Sequence, residues 1–326
     1  MYAWNLEQIY SRGITGQGIT TAVLDTGIFP HRAFMYPKNR IEGFYDFVNG
    51  NHSKPYDDNG HGTHVSGIIA GWDSQPGFPG SLAGPGQRAW DGFPGSSADP
   101  GQRARAVFPG VAPESRILSL KVLDKRGNGK LDVMIEAIDW LLNHWRSYNV
   151  RIVNISVGMP IQGPLDPRQR QLVKKVEQLW DQGLVVVVAA GNEGPGPYTI
   201  TNPGISRKVI TVGALEEQIS GRRHRKKGYS GCGPVPVTCV CKPDVVAPAA
   251  GILSCSNRPG AYTKRSGTSM AAPIVSGILG LALQARPGLS NLDLKIRLME
   301  TSIDLGQPRN RQGWGLINPR GLIEMK

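Results

Sequence analysis

Thr20-Thr21-Ala22-Val23-Leu24-Asp25-Thr26-Gly27 is the stretch that decides the fold. It is apolar on both faces up to Leu24, as strands are in a parallel sheet covered by helices above and below. Asp25 closes it and Thr26-Gly27 turns the chain. The carboxylate therefore stands at the carboxyl edge of a sheet, where open α/β folds place their ligands. With the run at 19–24, further apolar runs at 116–122, 152–157, 184–190 and 208–212 read as strands. Amphipathic runs at 62–70, 131–145, 167–182, 269–285 and 291–301 alternate with them and read as helices, with Asp166 before Pro167 as a helix-start pair. The pattern predicts an α/β fold with a doubly wound, mostly parallel sheet and helices on both faces, in one domain spanning 1–326.

Composition agrees with a folded chain. The 326 residues are 40% hydrophobic and 19% charged, enough apolar material for a large core and against wholesale disorder. The longest apolar stretches, at 184–190 and 274–283, fall short of the ~18 residues that cross a bilayer, so no membrane association is expected. The opening MYAWNLEQIYSRG lacks the basic start and apolar run of a secretory signal. That start favours either a cytoplasmic protein or the mature form of a secreted one. The net charge of +12 draws heavily on one run, Arg222, Arg223, Arg225, Lys226 and Lys227, which reads as a solvated loop because no stacking aromatics interleave it. Nucleic acid is therefore not expected as a partner.

Two segments interrupt the alternation. Between 72 and 110 there are 14 Gly or Pro in 39 residues, and GFPGSLAGPGQRA at 77–89 recurs as GFPGSSADPGQRA at 92–104. Two copies cannot make a solenoid, so this is a turn-rich insertion with Phe78 and Phe93 as its apolar anchors. At about 230–256 lies a loop with all four cysteines: Cys232, Cys239, Cys241 and Cys255. On an extended chain Cys239 and Cys241 point the same way and cannot easily bond each other, which leaves two of three connectivities. Disulfides rank first, free thiols second in a reducing compartment, and a zinc site last because no CxxC pair is present.

Three segments place a reactive side chain beside glycine at an element boundary: TTAVLDTG with Asp25, DDNGHGTHVSG with His61, and RSGTSMAAP with Ser269. His61 lies between Gly60 and Gly62 at a helix start, its ring unshielded. Ser269 opens a long helix, in the positive field of its free amides, with Pro273 tolerated near that first turn. Each alone is modest, since Asp after a strand is usually a turn former and Gly-Thr-Ser is common in loops. Together they give Asp, His and Ser in one of the chain orders in which nucleophile, base and orienting carboxylate recur. VVVVAAGNEGPG adds Asn192, whose amide can hydrogen-bond an oxyanion beside the Ser269 backbone amide. Asp57 and Asp58 read as solvated turn acids over a cation-attracting pair.

With DTG, HGTHVSG, AAGNEG and SGTSMAAP in that order, and GVAPESRILSLKVLD, NPGIS and KPDVVAPA between them, the sequence resembles the subtilase family of serine endopeptidases from about residue 16 to 322, except in the repeat insertion and the Cys-rich loop. PYDDNGHGTH, NPGISRKVITVGA and YTKRSGTSMAAP resemble its AprX-like intracellular bacterial branch. The resemblance implies a subtilisin-like fold and hydrolysis of peptide bonds through an acyl-enzyme on Ser269. His61 would act as base, Asp25 would hold the ring, His64 would pack in the helix and Asn192 would complete the oxyanion hole. It further implies a cleft along Ser156, Val157 and Gly158, a pocket walled by these and by Ala189, Ala190 and Gly191, with Thr201 at its floor, and apolar or aromatic residues as its occupants. Glu193 at the rim would also admit a basic one. Protein and peptide substrates, an N-terminal propeptide that aids folding and inhibits, and a monomeric state are implied as partners and assembly.

No cofactor is required for such chemistry. The family's calcium motif, HPDL, reads HRAF here, with Ala33 at the aspartate position, and the insertion occupies the place of the calcium loop. The usual high-affinity calcium site is therefore expected to be absent, while weaker structural calcium sites and other metals stay open. The rival reading is a catalytically idle subtilase-fold binding protein using its basic loop; intact Asp25, His61, Asn192 and Ser269 argue against it.

Overall fold

The computed structural model describes residues 6–50, 54–73, 110–215, 228–236 and 238–324. Both copies of the repeat and the basic run at 222–227 lie outside the described residues.

In chain order the elements are α1 (Glu7–Tyr10), β1 (Thr20–Asp25), α2 (Arg32–Met35), β2 (Ile41–Asp46), α3 (His61–Ala70), β3 (Arg116–Lys121), α4 (Leu131–His144), β4 (Val150–Ile155), α5 (Pro167–Asp181) and β5 (Val185–Ala189). They continue with β6 (Ile210–Leu215), β7 (Val245–Pro248), β8 (Ile252–Cys255), β9 (Tyr262–Arg265), α6 (Thr268–Ala285), α7 (Asn291–Thr301), α8 (Arg309–Gln312) and α9 (Pro319–Glu324). Seven strands form one parallel sheet in the order β2-β3-β1-β4-β5-β6-β7. The sheet is wound to one side of β1 by β2 and β3 and to the other by β4 onward, so its topological switch point lies between the carboxyl ends of β1 and β4. β8 and β9 form a separate antiparallel hairpin.

Burial explains the doubly apolar strands. Every residue of β1 and of β5 is buried. α6 covers β4, β5, β6 and β7, and α4 and α5 pack against each other, with α5 on β5. α6 is the one described helix long and apolar enough to cross a membrane, and 83% of it lies inside the protein. Its length comes from crossing four strands of the core. α5 starts as read, with Asp166 and Gln169 closing a reciprocal capping box ahead of Pro167.

Differences from the sequence pattern have local causes. The sixth strand begins at Ile210, because the carbonyls of Lys208 and Val209 are taken by the Lys295 ammonium at 2.9 Å each. β2 lacks the pattern of a buried strand: it is an edge strand, half exposed, and its IEGFYD sequence carries two acids and a glycine. Pro273 is the sixth residue of α6, beyond the turn where amides lack partners, and it removes the donor that would have met the Ser269 carbonyl. No disulfide joins Cys232, Cys239, Cys241 or Cys255. The chain at Cys239 is not extended: Cys239 N bonds Val235 O and Val235 N bonds Val240 O, folding a tight turn with Cys239 at φ 51°. Cys255 is instead buried in β8 against Gly67 of α3, where desolvation raises its thiol to about 12 and keeps it protonated.

Candidate active site

Asp25 ends β1, fully buried. His61 Nδ1 donates to Asp25 Oδ1 at 2.7 Å and lies 3.0 Å from Oδ2. Thr26 N donates to the same Oδ1 at 2.7 Å, which fixes the carboxylate plane. Two glycines permit this approach. A Cβ on Gly62 would fall 2.2 Å from the Gly27 carbonyl oxygen and 3.1 Å from Asp25 Cβ, and one on Gly27 would fall 2.2 Å from Tyr56 O. Gly62 thus lets the start of α3 touch the Asp25 turn, rather than merely unshielding the His61 ring. Burial pushes the His61 pKa down, but the Asp25 charge and hydrogen bond outweigh it and leave the ring above its ordinary value. His64 takes the packing role: it is buried, its Nε2 faces Ile252 O and Thr263 O at 3.1 Å each, and burial together with the Arg265 charge lowers it to about 4.

Asp57 is not a solvated turn acid. It is 5% exposed and accepts from Thr26 Oγ1 at 2.8 Å, Asn59 N at 3.0 Å, Gly60 N at 2.7 Å, and Thr63 N and Oγ1 at 2.9 and 2.6 Å. It caps α3 ahead of His61 and ties that cap to the residue after Asp25. Asp58 is held by Lys121, whose buried ammonium donates to Asp58 Oδ1 at 2.7 Å, Thr26 O at 2.8 Å and Leu123 O at 2.9 Å. The sequence pattern alone assigns neither acid this role. An acid three residues before a helix-opening Gly-His was the available signal for Asp57; nothing in SLKVLD marks Lys121 as buried.

Ser269 is the second residue of α6, behind Gly267 at φ 142°. Its Oγ donates to the Ser156 carbonyl at 2.8 Å, so the hydroxyl rests on the segment leaving β4 at the switch point. Asn192 follows β5 and is exposed. Its Oδ1 accepts from Thr268 N at 3.0 Å and Thr268 Oγ1 at 3.1 Å, which turns Nδ2 outward beside the first-turn amides of α6. Asn154, buried in β4, accepts from Ser276 of α6 at 2.9 Å and donates to Ser156 Oγ at 2.8 Å, fixing the helix against the strand.

The pocket residues also converge. Thr201 is buried, its N and Oγ1 bonded to Ala190 O at 3.0 and 3.3 Å. A Cβ on Gly158 or Gly191 would come within 2.0 or 2.4 Å of the Thr201 side chain, so this threonine fills the space that both glycines leave. Ser156 is buried, Val157 partly so and Gly158 exposed. Glu193 is exposed.

Around Ala33 the residues do not suit a calcium ion. A methyl group stands where a carboxylate ligand would be needed, and the Ala33 carbonyl is already taken by the buried Arg40 guanidinium and by Trp72 N. Arg40 also donates to Pro113 O at 2.5 Å. A fixed positive charge thus occupies the neighbourhood and would repel a second one.

A family model described as the subtilase family, Peptidase_S8, matches residues 16–315. The chain is 36% identical over 330 residues to serine protease AprX of Bacillus subtilis (strain 168), covering 95% of this chain and 67% of that protein. It is 30% identical over 321 residues to subtilisin Savinase of Lederbergia lenta, covering 97% and 96%. Among solved structures, sphericase matches with a TM-score of 0.72 at 26% identity over 97% of each chain. A match of this extent, on a sheet whose switch point holds Asp25, His61 and Ser269, leaves one assignment: the chain belongs to the subtilase family and is a subtilisin-like serine endopeptidase.

Proposed function

We propose that the chain cuts proteins through an acyl-enzyme on Ser269, with His61 as base and Asp25 as its anchor. The observation that carries this reading is the contact of His61 Nδ1 with a wholly buried Asp25 at 2.7 Å, which leaves Nε2 as the ring's basic nitrogen. With substrate in place, the Ser269 hydroxyl turns from Ser156 O to that nitrogen, a χ1 rotation between staggered wells. Oγ attacks the peptide carbonyl as His61 takes its proton. The oxyanion then lies between Ser269 N and Asn192 Nδ2. His61 returns the proton to the leaving amine, the C–N bond breaks, and water repeats the sequence on the ester.

Substrate lies extended along Ser156, Val157 and Gly158, where exposed Gly158 offers backbone groups for strand-like pairing. A neutral pocket between 156–158 and 189–191, closed by Thr201, suits apolar or aromatic side chains. Asn192→Ala is expected to lower kcat about 10²–10³-fold, the size known for the equivalent change in subtilisin. Steady-state cleavage of a quenched fluorescent peptide checks it, with thermal melting as the control for folding. A loss below tenfold would remove Asn192 from the oxyanion hole.

The fold does not rest on the family's high-affinity calcium in this reading, because Arg40 supplies the positive charge beside Ala33. Excess chelator is expected to leave the melting temperature nearly unchanged. Arg40→Met is expected to lower unfolding stability by about 1–3 kcal/mol, since it strands the buried Pro113 carbonyl and takes one of two donors from Ala33 O. Melting scans with and without chelator check both; a collapse on chelation would overturn the idea that Arg40 stands in for the ion.

A further inference from the structure

Of the four free thiols, Cys239 and Cys241 are exposed and stand two residues apart, whereas Cys232 and Cys255 are buried. Cys232 Sγ donates to Ser230 O at 3.3 Å, and Cys255 lies against Gly67 of α3, so a soluble reagent meets the first pair and not the second. The exposed pair sits at the end of a hairpin. Gly233 N donates to Lys242 O at 2.8 Å and Val235 N to Val240 O at 2.9 Å, which sets 233–235 and 240–242 antiparallel. Its base is fixed: Gly233 N also donates to Asn310 O at 2.9 Å, and the buried Lys242 ammonium donates to Val209 O at 3.0 Å and Asp244 Oδ2 at 2.5 Å. On an extended strand, residues i and i+2 lie about 6.6 Å apart with parallel side chains. That is too far for a disulfide, whose Cβ atoms approach to about 3.5–4.5 Å. Cys239 breaks the arrangement. At φ 51°, with its N bonded to Val235 O, it belongs to the turn and not to the strand of Cys241, so strand alternation does not hold the two side chains parallel. A guanidinium stands beside the pair: exposed Arg207 donates through Nη2 to Thr238 O at 3.4 Å, on the residue before Cys239.

We infer that Cys239 and Cys241 form a redox site, which an anionic low-molecular-weight disulfide closes into an intrachain bond. One thiol gives its proton to water and attacks a sulfur of the reagent, whose S–S bond breaks and releases one thiolate. The other cysteine, deprotonated in turn, attacks the protein sulfur of this mixed disulfide and displaces the second thiolate as the Cys239–Cys241 bond forms. The two cysteines lose two electrons, the reagent gains them, and its two thiolates take up the two protons. Arg207 draws in the carboxylates of the reagent. The closed loop spans three residues, so it removes little entropy from the unfolded chain and adds little stability. Exposed and tightly closed, such a bond is of the labile kind that thiols reopen.

Incubation of the full-length protein with oxidised glutathione, blocking of the remaining thiols with N-ethylmaleimide in denaturant, and peptide mapping by mass spectrometry test this. The expected result is a link between Cys239 and Cys241 that dithiothreitol reverses, with Cys232 and Cys255 blocked. Cys239→Ser and Cys241→Ser should each keep a glutathione adduct on the other exposed thiol, since no neighbour is left to displace it. Melting temperatures of the protein and both serine variants should agree within a few degrees, which separates the thiol chemistry from folding. Arg207→Gln should slow closure by oxidised glutathione about threefold and leave closure by uncharged hydroxyethyl disulfide unchanged. Four blocked cysteines, a glutathione adduct that persists on the unmodified protein, or a link to Cys232 or Cys255 would each overturn the inference. Equal slowing of both reagents in Arg207→Gln would remove Arg207 from the site.

Discussion

Ser269→Ala is expected to lower kcat about 10⁶-fold, the figure known for subtilisin, while leaving the melting temperature within a few degrees. The hydroxyl makes a single hydrogen bond, to Ser156 O, and the side chain is only partly buried. Its removal therefore creates no sizeable cavity, and the Ser156 carbonyl at the cleft can turn to water. The helix that carries it is fixed elsewhere, by the Ser276–Asn154 bond and by burial along nearly its whole length. Burst and steady-state kinetics on a peptide ester check the prediction, with melting as the structural control. Turnover within a hundredfold of the unmodified protein would remove Ser269 from the nucleophile's place.

Asp25→Asn is expected to cost about 10⁴-fold in kcat, since an amide can donate to Nδ1 and trap the wrong tautomer. It should also move the pH profile. His61 must be neutral to accept the serine proton, and its pKa lies above the ordinary 6.5 because the Asp25 charge and hydrogen bond outweigh burial. Activity of the unmodified protein in kcat/KM should therefore rise with pH along an acid limb centred above 6.5. In the Asn variant the Asp25 charge is gone while burial, the largest influence and a lowering one, remains, set against only the smaller Asp57 charge. The limb should shift to lower pH. A profile that does not move would mean that the group being titrated is not the ring facing Asp25.

The strands are legible in the sequence because being buried on both faces leaves a plain trace: TTAVLD and VVVVA are apolar throughout and bounded by turns. The reactive positions are legible because glycine marks close backbone approach, as at Gly62 against the Gly27 carbonyl. Charges that the fold buries are not. Arg40 and Lys121 are stabilised by carbonyls from segments far apart in the chain, and such partners leave no periodicity. β2 escapes notice for the opposite reason, since an edge strand exposed on one side mixes polar and apolar residues irregularly.

Ser269 becomes a strong nucleophile through His61 only while Asp25 holds that ring. Treatment with a fluorophosphonate at several pH values, followed by peptide mapping by mass spectrometry, measures this at the reacting atom. One adduct is expected, on Ser269, forming at a rate that falls as pH drops through the raised His61 pKa and slowed by orders of magnitude in Asp25→Asn. An adduct on another residue, or a rate on Ser269 indifferent to Asp25→Asn, would refute the catalytic assignment.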